Sequence, residues 1–75
     1  MGTVRSWSDD EGWGVLDSDD TPGGCWAHFS NLDLPGFRRL HPGETVEFSW
    51  LAARQDGYRY RAVKVSPTDP ALATR

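Results

Sequence analysis

The sequence has one cysteine, one methionine and few long apolar stretches among its 75 residues. A single cysteine cannot form an internal disulfide, and no stretch approaches the roughly 18 apolar residues that a membrane helix needs. The sequence also lacks a charged start followed by an apolar run, the pattern of a secretory signal. We therefore expect a cytoplasmic protein that has no contact with a membrane.

The residues that usually carry catalysis or bind metals are also scarce. Cys25 and His28 are three residues apart in a predicted strand, so they point to opposite faces and do not form a nucleophile pair. One cysteine and two histidines give no zinc ligand set, and the acidic turns lack the spacing of a calcium loop. We expect no enzymatic activity, no cofactor, no metal and no small-molecule substrate.

The chain is short and slightly acidic, with a net charge of −3. A domain of this length buries only about 60% of its unfolded surface, which permits one small core and one domain. Residues 1–36 carry one basic and seven acidic side chains, whereas residues 37–75 carry seven basic and four acidic ones. This distribution predicts a basic flank on one domain, and it argues against strongly salt-driven binding of duplex DNA without excluding nucleic acid.

Short runs of β-type residues alternate with turns rich in Asp, Gly and Pro, and no long amphipathic helix is indicated. The predicted strands are Gly2–Trp7, Gly12–Asp17, Gly24–Phe29, Thr45–Leu51 and Tyr58–Val65. Residues Ser30–Asp33 predict a short 3₁₀ turn. Closing five strands into a barrel removes exposed edges without a second layer, so we expect a small β-barrel.

Alternation along the first three strands predicts an apolar face and an aromatic face. The core face is predicted to carry Val4, Leu16, Cys25 and Ala27, and the outer face Arg5, Trp7, Trp13, Val15, Trp26 and His28. Several large aromatic side chains exposed together indicate an interaction surface. The inverted alternative would place the tryptophans in the core and leave a thin exterior of small residues, which is less favourable.

Four segments in register resemble the cold shock domain. They are Gly2-Thr3-Val4-Arg5, Gly12-Trp13-Gly14-Val15-Leu16, Trp26-Ala27-His28-Phe29-Ser30, and Gly36-Phe37-Arg38-Arg39-Leu40 followed by Pro42-Gly43-Glu44. The resemblance covers residues 2–65 and implies an all-β, five-stranded antiparallel OB-type barrel that binds single-stranded DNA or RNA. Many members of this family act as RNA chaperones or antiterminators. We expect the domain to occupy residues 1–66, with a flexible tail at 67–75.

The resemblance also implies which residues bind the strand. Trp13 matches the aromatic of the first motif, Trp26, His28 and Phe29 match the second motif, and Phe37 matches the aromatic of the long loop. Near the end of the first strand, Trp7 and Arg5 match an aromatic and a basic residue. We add Arg38 as a contact to the nucleic-acid backbone and Tyr58 as an additional ring. The expected nucleic-acid-binding set is then Arg5, Trp7, Trp13, Trp26, His28, Phe29, Phe37, Arg38 and Tyr58.

Four positions depart from the family pattern. Ser6, Glu11, Val15 and Gly24 stand where the family usually has Trp, Lys, an aromatic and Asp. Losing two stacking platforms at about 1–3 kcal/mol each predicts weak binding by a monomer. The alternative is a small β-barrel interaction module whose aromatic face binds a peptide or a partner protein.

Overall fold

Five strands and one 3₁₀ turn are present in residues 1–33 and 39–68, the parts of the chain that the computed structural model describes. The strands are β1 (Gly2–Ser8), β2 (Trp13–Asp17), β3 (Cys25–His28), β4 (Thr45–Gln55) and β5 (Tyr58–Pro67), and the turn Phe29–Asn31 follows β3. They form a closed barrel in the order β1-β2-β3-β5-β4, with β4 returning to β1. The prediction of a small five-stranded all-β barrel is therefore confirmed.

The pairing of β3 with β5 is parallel, whereas the other strand pairs of the barrel are antiparallel. This arrangement places Trp26 directly beside Arg61. The family resemblance implied an antiparallel barrel, and the residues themselves do not reveal this pair, because a parallel neighbour that is distant in the chain has no local signature. The parallel pair therefore brings a basic residue of the second half of the chain to the aromatic face of the first half.

The hairpin of β4 and β5 is longer than the sequence predicted. Strand β4 runs past Leu51 to Gln55, and β5 ends at Pro67. The connection is the two-residue turn Asp56-Gly57, and both residues have positive φ, 50° and 88°. Positive φ at two consecutive residues characterises the type I′ turn. The twist of this turn matches that of the two strands and allows them to pair up to the turn.

The core consists of small and aliphatic side chains from all five strands and from the segments around residues 32 and 40. Its buried members are Val4, Leu16, Cys25, Ala27, Leu32, Leu40, Val46, Ala62 and Val65, and Trp7, Phe48 and Tyr60 pack against them. The four residues predicted for the core face of the first three strands are all buried here. The parity of β2 and β3 is therefore confirmed.

The prediction that Trp7 lies exposed beside Arg5 is wrong. The register between β1 and β2 shifts between Val4 and Ser6, so β1 contains one additional residue at this point. Such a β-bulge reverses the alternation that follows it, and Trp7 consequently packs against the core. Gly14 makes room for the indole, because a Cβ at that position would lie 2.6 Å from Cε3 of Trp7.

The prediction that Val15 faces solvent is also wrong, although Val15 does lie outside the core cluster. Its side chain is only 1% exposed, and it is paired with Trp26 across β2 and β3. A Cβ on Gly24 would meet the side chains of Val15, Arg5 and Tyr58, which shows that these three groups converge above the sheet. Val15 therefore lies on the outer face but beneath neighbouring side chains, and it is not available as a ligand contact.

Some predictions fall outside the described residues. Phe37 and Arg38 belong to the segment 34–38, and the predicted tail belongs mostly to the segment 69–75, neither of which the structure describes. At the end of β5, the Thr68 hydroxyl donates a hydrogen bond to the carbonyl of Thr45 at 3.2 Å. The described part of the chain contains no helix of the length and apolarity needed to cross a membrane.

The thiol of Cys25 lies in the core, where burial raises its pKa from 9.0 to about 11. The thiolate is the reactive form, and a rise of this size lowers its fraction at neutral pH by about 100-fold. We expect Cys25 of the folded protein to react with an aromatic disulfide reagent at least about 100-fold more slowly than in the unfolded chain. Absorbance of the released thiolate measures both rates. Equal rates with and without concentrated guanidinium chloride would contradict a buried thiol.

Candidate nucleic-acid interface

Five rings form a continuous row on the outer face of β2, β3 and the start of β5. The rings of Trp13 and Trp26 lie nearly parallel, 6.1 Å apart between centroids, and Trp26 and His28 are similarly arranged at 5.8 Å. At one end Tyr58 meets Trp13 edge-on at 6.5 Å, and at the other Phe29 lies 4.4 Å from His28. We call these five residues the aromatic row. The structure therefore brings together five of the nine residues predicted for the site.

The antiparallel pairing of β2 with β3 builds the centre of the aromatic row. Trp13 pairs with His28 and Val15 pairs with Trp26. Residues that pair across two strands lie on the same face of the sheet, and diagonal neighbours are within reach of large rings. Trp13 and Trp26 therefore approach each other diagonally, on the same face as Val15.

The 3₁₀ turn fixes the orientation of the His28 ring. The backbone N–H of Ser30 donates to Nδ1 of His28 at 3.2 Å, and the backbone N–H of His28 donates to the side-chain oxygen of Asn31 at 3.0 Å. Nδ1 also lies 2.8 Å from the Ser30 hydroxyl oxygen, so this edge of the ring is held against the turn. His28 thus presents a ring face at the surface.

Phe29 extends the aromatic row onto the 3₁₀ turn that follows β3. Its side chain is 44% exposed, and its backbone N–H donates to the carbonyl of Gly12 at 2.8 Å. Gly12 has φ 76°, and a Cβ there would lie 2.9 Å from the Phe29 ring. The glycine is therefore required both for the left-handed backbone and for the close approach of the ring.

The indole N–H groups of the three tryptophans in this region have different environments. The N–H of Trp13 donates to the carboxylate of Glu11 at 3.1 Å. Those of Trp7 and Trp26 are buried and have no acceptor in the part of the chain that the structure describes. Glu11 thereby orients Trp13, a contact that the sequence prediction did not include.

Arg5 is engaged by a carboxylate of the neighbouring strand. Its Nε lies 3.1 and 3.0 Å from the two carboxylate oxygens of Asp17, and the terminal nitrogen also contacts Asp17. The hydrogen bonds to Asp17 raise the pKa of Arg5. Arg5 was predicted as a phosphate contact, but its pairing with Asp17 leaves little uncompensated charge at this point.

Arg61 contributes a second cation that was absent from the predicted binding set. It pairs with Trp26 across β3 and β5, and its side chain is exposed. A shallow groove of about 410 Å³ lies there, lined by Trp26, His28, Ser30, Asn31, Gln55 and Arg61. Among residues 1–33 and 39–68, no ion pair involving Arg61 is found. Arg61 is therefore well placed to meet a phosphate beside the aromatic row.

Charge differs along the aromatic row. Near Trp13, the turn after β1 carries Asp9, Asp10 and Glu11, of which Asp9 forms an ion pair with Arg39 at 3.4 Å. Near Trp26, the exposed cation is that of Arg61. A polyanion lying along the row would thus meet repulsion beside Trp13 and attraction beside Trp26.

Partly exposed rings, three of them nearly parallel, and few cations define what this surface can bind. Planar aromatic groups prefer offset-stacked or edge arrangements at the spacings found here, and each nucleobase has a π-face. The bases of a duplex are already stacked on one another and cannot reach a protein surface of this kind. The geometry favours successive unpaired bases.

Comparison with known proteins adds independent information. The family model described as the 'Cold-shock' DNA-binding domain matches residues 1–68. The chain is 38% identical over 64 residues to a cold shock-like protein of Aquifex aeolicus (strain VF5), covering 85% of this chain and 90% of that protein. It is 22% identical over 68 residues to cold shock-like protein CspD of Haemophilus influenzae, covering 91% of this chain and 94% of that protein.

Another relative is much longer than this chain. Glycine-rich protein 2 of Nicotiana sylvestris is 41% identical over 70 residues, which is 93% of this chain and 32% of that protein. The chain therefore spans about a third of this relative, and the similarity concerns that part alone.

Proposed function

The chain belongs to the family of the 'cold-shock' DNA-binding domain, and on this premise we propose that it binds single-stranded DNA or RNA by stacking bases on the aromatic row. The observation that carries the proposal is the row itself, from Tyr58 through Trp13, Trp26 and His28 to Phe29. Stacking contributes about 1–3 kcal/mol per base and tolerates any base, because each base has a π-face.

We further propose that the binding is weak and that the protein acts as a monomer. Ser6 and Val15 stand at two positions where the family usually has aromatic side chains, and Val15 is buried, so two stacking platforms are missing. Arg5 is paired with Asp17, and Glu11 adds negative charge beside Trp13. Few cations therefore remain to neutralise phosphates, and stacking has to supply most of the binding free energy.

Weak, sequence-tolerant stacking suits a protein that holds unpaired RNA transiently. Such a protein releases the strand readily and does not require a defined sequence, as expected of an RNA chaperone or a regulator of gene expression in the cytoplasm. We propose this role for the chain. The family membership and the low positive charge of the face support it.

The salt dependence of binding tests the proposed mode. With about two or three phosphate contacts, log K against log salt has an expected slope of about −1.4 to −2.1 for single strands. Pyrimidine-rich and mixed strands of about eight nucleotides, within the site size of one such barrel, should quench tryptophan emission because bases stack on Trp13 and Trp26. The titration is made at two salt concentrations and repeated with the matching duplex, which is expected to bind more weakly.

Two outcomes would contradict this proposal. If high micromolar strand leaves the emission unchanged, the alternative of a peptide-binding or protein-binding module is favoured. A much steeper slope would show that phosphate contacts, and not stacking, supply most of the affinity.

A further inference from the structure

The carboxylate of Glu11 is held at the edge of the Trp13 ring. The turn that carries it is fixed, since the backbone N–H of Glu11 donates to the Ser8 hydroxyl at 3.2 Å and that of Gly12 donates to the Ser8 carbonyl at 2.8 Å. From this turn, one carboxylate oxygen of Glu11 accepts the indole N–H at 3.1 Å. Glu11 therefore has a defined position relative to any base that stacks on Trp13.

The same carboxylate retains acceptor capacity. An ionised carboxylate has about four lone-pair sites on its two oxygens, and the indole N–H uses one of them. Glu11 is exposed, and within the described residues its second oxygen has no hydrogen-bond donor. A hydrogen-bond donor on the edge of a stacked base can therefore reach an acceptor without displacing the contact that orients Trp13.

Bases differ in what they offer to such an acceptor. Cytosine, adenine and guanine carry exocyclic amino groups, and carboxylates accept from the amino group of cytosine in known nucleic-acid interfaces. Thymine and uracil carry a carbonyl oxygen in place of the amino group. Their one donor on this edge, N3–H, lies between two carbonyl oxygens, so a carboxylate that approaches it also meets the repulsion of those oxygens. The chemistry therefore distinguishes two classes of base at one stacking position.

We propose that Glu11 gives the stacking position on Trp13 a preference for amino-bearing bases over thymine and uracil. This inference rests on the proposed function, because it concerns the same bound strand. It assigns Glu11 a role in specificity, in addition to its general repulsion of phosphate. A repulsive charge alone changes affinity for all strands by the same factor, whereas base recognition changes the ratio between strands.

The experiment compares oligo(dC) with oligo(dT), each about eight nucleotides long, by fluorescence anisotropy of a labelled strand. In Glu11→Gln the carbonyl oxygen can still accept from Trp13, but the charge is lost and the amide can donate to a thymine carbonyl. We expect the affinity ratio of oligo(dC) to oligo(dT) to fall about fivefold in this variant, the lower end of discrimination by a direct base contact.

Asp10→Asn is the matched control. Asp10 is the preceding residue on the same turn and is also exposed, so the variant removes the same charge from nearly the same place. The indole N–H of Trp13 bonds to Glu11 and not to Asp10. Asp10→Asn should therefore strengthen binding of both strands by a similar factor and leave their ratio unchanged.

The outcomes separate this inference from the proposed function. A ratio that falls in Glu11→Gln but not in Asp10→Asn supports base recognition by Glu11. If the parent protein binds both strands and neither variant changes the ratio, the inference fails while single-strand binding stands. If the parent protein binds neither strand, the proposed function fails, and the inference fails with it.

Discussion

Replacing Trp13 with alanine is expected to weaken binding of a short single strand by about 5- to 150-fold, the equivalent of about 1–3 kcal/mol for one stacked base. Trp13 is half-buried and lies between Trp26 and Tyr58 in the aromatic row, so its loss interrupts the stacking surface. The measurement is the dissociation constant from fluorescence anisotropy of a labelled strand, which does not depend on tryptophan emission.

Trp50→Ala is the matched control for this prediction. It removes the same side chain from the β4–β5 hairpin, where Trp50 is 38% exposed and meets Tyr60 edge-on at 5.2 Å, apart from the aromatic row. Its affinity should remain within about twofold of that of the parent protein, as for a residue outside the contact surface. Urea unfolding of both variants confirms that each is folded under the assay conditions. Equal losses for Trp13→Ala and Trp50→Ala would place the strand elsewhere.

Leu16→Ala is expected to lower the free energy of unfolding by about 2–5 kcal/mol. Leu16 is fully buried near the end of β2 and is the largest of the fully buried side chains in the described part of the chain. A chain of 75 residues has a typical stability of about 4–11 kcal/mol, so this single change removes much of it. Urea unfolding followed by tryptophan emission gives the value.

Leu51→Ala removes the same atoms from a site that is 38% exposed on β4. The surrounding solvent fills the space, so we expect a change within about 0.5 kcal/mol. A cost below 1 kcal/mol for Leu16→Ala, or a comparable cost for the two variants, would be incompatible with the observed core, which a fully buried leucine fills.

The sequence predicted most of the fold because the strands are short, alternating and separated by clear turns. Cys25, Trp26, Ala27 and His28 alternate between small apolar and large residues, and the structure buries the former and half-buries the latter. The error at Trp7 has a physical cause. A β-bulge changes which face a residue occupies without changing the order of residue types, so alternation alone does not reveal it.

The candidate site was predictable where its parts come from neighbouring strands. The motifs around Trp13 and Trp26 indicated the aromatic row, since β2 and β3 are joined by one turn. The position of Arg61 beside Trp26 was not predicted, because it depends on a parallel pairing between distant parts of the chain. The link between Glu11 and Trp13 was also missed, since it depends on the shape of a turn. Phe37 and Arg38 lie outside the described residues, and strand binding by each of the nine predicted residues stays a prediction.

The closed barrel has a consequence for the order in which it assembles. Strands β1 to β3 form one local unit and the β4–β5 hairpin another, and the barrel closes only where β1 meets β4 and where β3 meets β5. Such long-range closure sets the pace of folding in β-proteins, because chain entropy is lost before these contacts form. The aromatic row crosses the β3–β5 seam through Tyr58. A nucleic acid bound along the row as proposed would join the two units, and we expect it to slow the reopening of the barrel.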